Sequence, residues 1–120
     1  MIEGYNLVHD ATELRKLISE NPDLPIVVIA GEEANSGDYC WMYCSDVSFS
    51  VEYILDVKTP YDREESVFTD KTEFEDAVSD YAADNLPSDL PDEVFDEIVK
   101  NEIAKYEPYW KKVIAIYATN

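Results

Sequence analysis

The chain has 120 residues, of which 46% are hydrophobic and 12% aromatic, a composition too apolar for a disordered protein and a length that suits one folded domain. Its 27 Asp and Glu residues against nine Lys and Arg give a formal net charge of −18, which argues against direct binding to nucleic acid or to an anionic membrane. A basic protein surface is the natural complement of this charge.

The first half of the chain predicts one helix followed by three or four strands. Residues 10–13 (DATE) have the form of a capping box, and apolar residues at helical spacing follow them. Residues 25–30 form a continuous apolar run typical of a strand covered on both faces. Residues 39–44 and 47–57 alternate as further strands, and residues 66–69 are a candidate short fourth strand.

Helical spacing returns after residue 72, with Asp70 or Thr72 as the cap, and predicts a second helix. Pro91 suits the first position of a third helix. Residues 111–118 contain the apolar run VIAIY, which predicts a buried closing strand.

The order α–β–β–β–(β)–α–α–β predicts a single α+β domain over residues 1–120. We expect about three helices on a mainly antiparallel sheet of four to five strands. The first and last strands are the most apolar, so we expect them at the centre of the sheet, as neighbours.

The negative charge is concentrated in one part of the chain. Fourteen acids lie between Asp62 and Glu97, opposed there only by Arg63 and Lys71. Helical phase places many of them on one face of each of the last two helices. The predicted partner-binding residues are Glu73, Asp76, Asp80, Asp84, Asp92, Glu93, Asp96 and Glu97. The alternative interpretation is a solvated face that only confers solubility.

Patterns that would indicate catalysis or metal binding are missing from the sequence. His9 is the only histidine and no Gly-rich phosphate loop is present, so we predict no catalytic residues and no cofactor. Cys40 and Cys44 lack the further ligands of a zinc site, and we expect two buried thiols and no metal. The sequence therefore predicts a protein that is not an enzyme.

The N-terminus lacks a basic segment followed by an apolar run, and no apolar stretch approaches the ~18 residues of a membrane span. We expect a cytoplasmic protein whose cysteines stay reduced.

Tyr39, Trp41 and Tyr43 alternate in the predicted second strand and give an aromatic hairpin with the strand that follows. Their common face is either packed under a helix or exposed as a protein-binding patch.

Three segments carry a resemblance to a known family: residues 21–27 (NPDLPIV), 39–42 (YCWM) and 110–117 (WKKVIAIY), with the acidic stretch between the last two. Together they resemble a family of small phage and prophage proteins of Gram-positive bacteria. Proteins of this size and acidity include anti-CRISPR inhibitors of host defence, several of which imitate DNA. The resemblance implies that class as an expectation and carries over no individual functional residue.

Two hypotheses follow. The first is a phage-type inhibitor of a host defence nuclease, acting in the host cytoplasm, whose acidic residues occupy a Lys/Arg-rich nucleic-acid-binding surface as a DNA mimic. The alternative is a non-enzymatic phage accessory or structural protein that assembles through the aromatic hairpin.

Overall fold

The computed structural model describes residues 1–4, 7–31, 40–62 and 67–119. Its elements are α1 (Thr12–Glu20), β1 (Ile26–Ala30), β2 (Asp46–Leu55), α2 (Lys71–Asn85), α3 (Asp92–Tyr106), a 3-10 turn (Glu107–Tyr109) and β3 (Trp110–Thr119). The predicted α+β class is confirmed, with three helices and a mixed sheet over the described residues. None of these helices combines the length and the apolar character needed to cross a bilayer.

The sheet has the strand order β1-β3-β2, so the last strand of the chain lies at its centre. β1 pairs with β3 in parallel, in a register that sets Ile26 opposite Ile114 and Ala30 opposite Ala118. The prediction that the first and last strands are neighbours is thus correct. The prediction that both are central is wrong for β1, which lies at the edge of the described sheet and leaves alternate residues exposed instead of being covered on both faces. The parallel direction of β1 and β3 accounts for the mixed rather than mainly antiparallel character of the sheet.

The expected four to five strands are not found: the described residues form three. Residues 40–44 lie in bends and irregular backbone, and the Cys44 carbonyl accepts a 2.7 Å hydrogen bond from the His9 ring instead of a strand partner. Residues 67–69 also form no strand, although Phe68 accepts a 3.0 Å hydrogen bond from the Leu55 N–H. Tyr39 and Ser66 lie outside the described residues. Aromatic alternation alone does not make a strand, because strand propensity depends on packing against neighbouring strands.

The chain divides into two compact units, of which the first comprises Met1–Glu52 and Lys112–Asn120. Among its described residues, the buried side chains are Val113, Ile114 and Ala115 of β3. The predicted capping box is not formed, because α1 begins after Ala11 and has no side-chain cap. The Asp10 carboxylate accepts from the N–H and the hydroxyl of Thr12, at 2.9 and 2.6 Å. α1 buries none of its residues completely.

The second unit comprises Tyr53–Lys111 and holds an aromatic core. Phe74 of α2 is 1% exposed and makes edge-to-face contacts, with ring centroids 5.3–5.9 Å apart, to four other rings: those of Tyr61, Phe68, Tyr106 and Trp110. Such ring pairs contribute about 0.5–1.5 kcal/mol each beyond the burial of their area. This core fixes which faces of α2 and α3 point inward, and therefore which faces remain for binding.

The two helices of this unit begin where the sequence predicts, within one residue. The Asp70 carboxylate caps α2 by accepting from the N–H groups of Thr72 and Glu73, at 2.7 and 3.3 Å. Pro91 precedes α3, whose first residue is Asp92.

Candidate partner-binding surface

All eight predicted acidic residues lie on α2 or α3 and all are exposed. On α2 the buried residues are Phe74, Ala77, Val78 and Ala82, and they define the inward direction of the helix. Because successive residues of an α-helix are turned by ~100°, the four acids of α2 fall within an arc of about 80° that is well away from this direction. The set comprises Glu73, Asp76, Asp80 and Asp84, which we call the α2 acidic row.

The α2 acidic row extends for about 16 Å along the helix axis, at ~1.5 Å per residue. Asp76, Asp80 and Asp84 follow one another at intervals of four residues. Like charges at this spacing destabilise a helix by a few tenths of a kcal/mol per pair. The row therefore carries a small cost in folding free energy.

The four acids of α3 are less uniform. Glu93, Asp96 and Glu97 fall within an arc of about 100°, whereas Asp92 lies about 20° from the phase of the buried Val99. Asp92 is exposed because it is the first residue of the helix. The structure thus groups three of the four predicted acids of α3 on one face and separates the fourth.

Three of the eight acids lie where the helix dipole favours a carboxylate. Glu73 lies in the first turn of α2, and Asp92 and Glu93 lie in the first turn of α3. A carboxylate there stabilises the helix by about 0.3–1 kcal/mol through the helix dipole. The binding hypothesis therefore depends most on the later positions, which are Asp76, Asp80, Asp84, Asp96 and Glu97.

Two lysines of these helices pair with acids outside the predicted set. Lys71 forms a 3.0 Å salt bridge with Glu107 and lies 5.6 Å from the centroid of the Trp110 ring. Lys105 forms a 3.2 Å salt bridge with Glu102. These two lysines therefore form ion pairs with carboxylates other than the predicted eight.

A cavity of about 140 Å³ lies within the second unit, and the sequence patterns gave no sign of it. Its apolar walls come from α2, α3 and the residue that follows α2: Val78, Ala82, Leu86, Ile98 and Val99. Its polar lining includes Tyr61 and Glu102, which are joined by a 2.6 Å hydrogen bond from the Tyr61 hydroxyl to the Glu102 carboxylate. No motif spacing could have linked two residues 41 positions apart.

In the hydrogen-bonded pair of Tyr61 and Glu102, the pKa of the tyrosine hydroxyl is raised and the pKa of the carboxylate is lowered. Burial, and then the hydrogen bond to Glu102, raise the pKa of the Tyr61 hydroxyl far above its ordinary value. The hydrogen bond from Tyr61, aided by Lys105, lowers the pKa of Glu102. Glu102 is therefore an ionised carboxylate at neutral pH, next to an apolar space.

The exposure of the cysteine and aromatic side chains in the first unit can be compared with the predictions. Cys40 is exposed and Cys44 is half-buried, so the prediction of two buried thiols is wrong: neither residue lies on a covered strand. Trp41 is 91% exposed and Tyr43 is 46% exposed, which favours the exposed patch over packing under a helix for these two side chains. Tyr39 lies outside the described residues.

Among residues 1–4, 7–31, 40–62 and 67–119, no three His, Cys, Asp or Glu side chains cluster closely enough to hold a metal ion. Comparison with protein-family models, with curated proteins and with solved structures finds no match to this chain.

Proposed function

We propose that this protein is a phage-type inhibitor of a host defence nuclease, of the anti-CRISPR kind, that binds a Lys/Arg-rich nucleic-acid-binding surface as a DNA mimic. The observation that carries the proposal is the α2 acidic row, four exposed carboxylates aligned on one face of a helix. A helix selected for stability alone would place lysines between such acids, because opposite charges at i,i+4 stabilise where like charges destabilise.

The charge density of the α2 acidic row is lower than that of a DNA strand, so one helix alone does not match a strand. Asp76, Asp80 and Asp84 present one charge per ~6 Å of helix axis, whereas a single DNA strand presents one per ~3.4 Å. The row thus has about half the density of one strand. The proposal therefore includes the α3 acids Glu93, Asp96 and Glu97 as part of the binding surface.

Competition with DNA for a Cas9-type effector loaded with its guide RNA tests the proposal. The effector channel is built from Lys and Arg residues that contact phosphates. The protein is expected to displace labelled DNA at low salt and to lose most of this effect at high salt, as long-range charge attraction is screened.

A matched pair of variants separates local charge from net charge. The test variant replaces Asp76, Asp80, Asp84 and Asp96 with Asn. The control neutralises four exposed acids of the first unit, Glu13 and Glu20 with Gln and Asp23 and Asp46 with Asn. Both variants lose four negative charges, so any difference between them depends on where those charges lie. Only the test variant is expected to lose inhibition. Equal inhibition by the two variants would contradict the proposal, because the position of the neutralised acids would then have no effect on binding.

The alternative function is a phage accessory or structural protein that assembles through the aromatic segment. The 91% exposure of Trp41 favours it, because exposed aromatic side chains are enriched at the centre of protein interfaces. Sedimentation of the wild type and of Trp41→Ala tests this alternative. A larger assembly that dissociates in Trp41→Ala supports it, and a monomer in both argues for the first function.

A further inference from the structure

The cavity in the second unit is too small for a cofactor or a drug-sized ligand. Pockets for such molecules measure roughly 300–1,000 Å³, and this one measures about 140 Å³. A space of this size suits one side chain of a partner protein. The cavity lies between α2 and α3, on the side of both helices that faces away from most of the acidic residues. A side chain that fills it therefore comes from a part of the partner beyond its contact with those acids.

The charged group that lines the cavity is the Glu102 carboxylate, which accepts hydrogen bonds, while Asn85 and Tyr81 also carry donor groups. Tyr61 gives its hydroxyl proton to Glu102, and Asn85 gives an amide proton to the Tyr81 carbonyl at 2.8 Å. Glu102 is an ionised carboxylate whose lowered pKa keeps it charged. Among the described residues that line the cavity, none is Lys, Arg or His. An occupant that both fills the apolar space and donates hydrogen bonds therefore fits this lining.

We propose that the cavity receives an arginine side chain of the basic partner, an inference that rests on the proposed function. The aliphatic part of the arginine packs against Leu86 and Ile98, and the guanidinium donates to the Glu102 carboxylate. The ring of Tyr81 is 44% exposed and lines the same cavity, so it offers a face for stacking. Arginine fits better than lysine because its planar group carries five donors and stacks on aromatic rings.

Lys105 is the neighbouring cation with which the arginine competes. Its ammonium lies 3.2 Å from Oε2 of Glu102 and its side chain is 68% exposed. A pair with such an exposed lysine contributes little to stability. A guanidinium can therefore share or replace this contact at small cost, and removal of Lys105 is expected to favour it.

The experiment uses single amino acid amides as probes, observed by NMR through the methyl groups of Val78, Leu86 and Ile98. N-acetyl-arginine amide is expected to shift these methyls in a saturable manner. N-acetyl-citrulline amide has a similar shape without the charge, and N-acetyl-norleucine amide has only the aliphatic stem. Both are expected to bind about tenfold more weakly, since a charge-assisted hydrogen bond is lost.

Variants identify the carboxylate responsible. Glu102→Gln is expected to remove the preference for arginine, whereas Glu75→Gln, an equal charge change at an exposed position of α2, is expected to keep it. Lys105→Met alters an exposed side chain, so it is expected to fold normally and to bind the arginine probe a few-fold more tightly. This second variant keeps the test valid if Glu102→Gln fails to fold.

Three results would overturn the inference: no methyl shift with any probe, tighter binding of norleucine than of arginine, or an arginine affinity unchanged in Lys105→Met. The outcome is independent of the test of the proposed function, because the Asn variants of Asp76, Asp80, Asp84 and Asp96 change no residue that lines the cavity. Loss of DNA competition in those variants with no arginine uptake would refute the cavity and keep the acidic surface. Binding of the arginine probe, with DNA competition unchanged in those variants, would support the cavity and refute the acidic surface.

Discussion

The Tyr61 hydroxyl donates a 2.6 Å hydrogen bond to Oε1 of Glu102 and so ties the segment after β2 to the middle of α3. Tyr61 is 7% exposed and its ring makes edge-to-face contacts with Phe74, Tyr81 and Tyr106. This one side chain therefore joins the aromatic core to the charged wall of the cavity.

Tyr61→Phe removes the donor and leaves the ring in place. Hydrogen bonds to charged groups contribute about 1.5–3 kcal/mol, so the free energy of unfolding is expected to fall by about that amount. Urea denaturation measures the change. Tyr109→Phe, at a side chain that is 47% exposed, is the matched control and is expected to change little. An equal effect of the two substitutions would show that the hydrogen bond does not stabilise the fold.

Glu102 is expected to make the fold sensitive to acid. Its pKa is lower in the folded chain than in the unfolded chain, mainly because of the hydrogen bond from Tyr61. The stability it contributes is present above its unfolded pKa and is lost as the pH falls through the lowered folded value. Unfolding free energies measured between neutral pH and acid should decrease more for the wild type than for Glu102→Gln. Parallel curves would refute this origin of the acid sensitivity.

Tyr61 is expected to make the fold sensitive to alkali. Burial raises its pKa above the unfolded value of about 10. Its contribution to stability is therefore present below pH ~10 and is lost as the pH rises further, because the unfolded chain then releases a proton that the folded chain retains. The difference in unfolding free energy between the wild type and Tyr61→Phe should shrink above this pH, and a constant difference would contradict the assignment.

Asp70→Ala removes the cap of α2. The carboxylate accepts from two backbone N–H groups of the first turn, and loss of such a cap costs about 0.5–2 kcal/mol. Thermal unfolding followed by circular dichroism measures the expected drop in Tm. Asp89→Ala, at an exposed position between α2 and α3, is the control for the change of net charge. The capping role would be disproved if both variants melted together.

Asp84→Lys is expected to stabilise the helix while it weakens partner binding. The substitution replaces an i,i+4 repulsion with an attraction to Asp80, and it places a cation near the C-terminus of α2. The free energy of unfolding should rise by about 0.5–1 kcal/mol at low salt, with a smaller gain for Asp84→Asn. No gain for Asp84→Lys at low salt would show that the α2 acidic row carries no electrostatic cost.

The parts of the fold that follow from local chemistry could be predicted from the sequence. Asp70, one of the two predicted candidates, caps α2, since its carboxylate lies just before an apolar segment of helical period. β1 and β3 were recognisable from their continuous apolar runs, and so was their adjacency. Their parallel direction was not, because the periodicity of a strand is the same in either direction.

The candidate site was predictable only where charge is visible in the sequence. The eight acids are exposed as expected, because helical phase places them away from Phe74 on α2 and, except for Asp92, away from Val99 on α3. The cavity was missed because its walls come from separate segments, as with Tyr61 and Glu102. Residues 39–44 were predicted as a strand in which aromatic residues alternate, yet the described residues 40–44 form no strand and Trp41 is left exposed. Composition cannot show whether a partner strand is present.

The parallel pairing of β1 with β3 has a consequence for folding during synthesis. Ile26 pairs with Ile114, which is synthesised much later, so most of the chain has to leave the ribosome before β1 can pair with β3. The second unit, Tyr53–Lys111, is one continuous segment with local helix contacts and is expected to fold first. In the interval, the apolar segment IVVIA of β1 has no strand beside it and is open to non-native association. The yield of native protein should therefore depend on how quickly β3 is synthesised and pairs with β1.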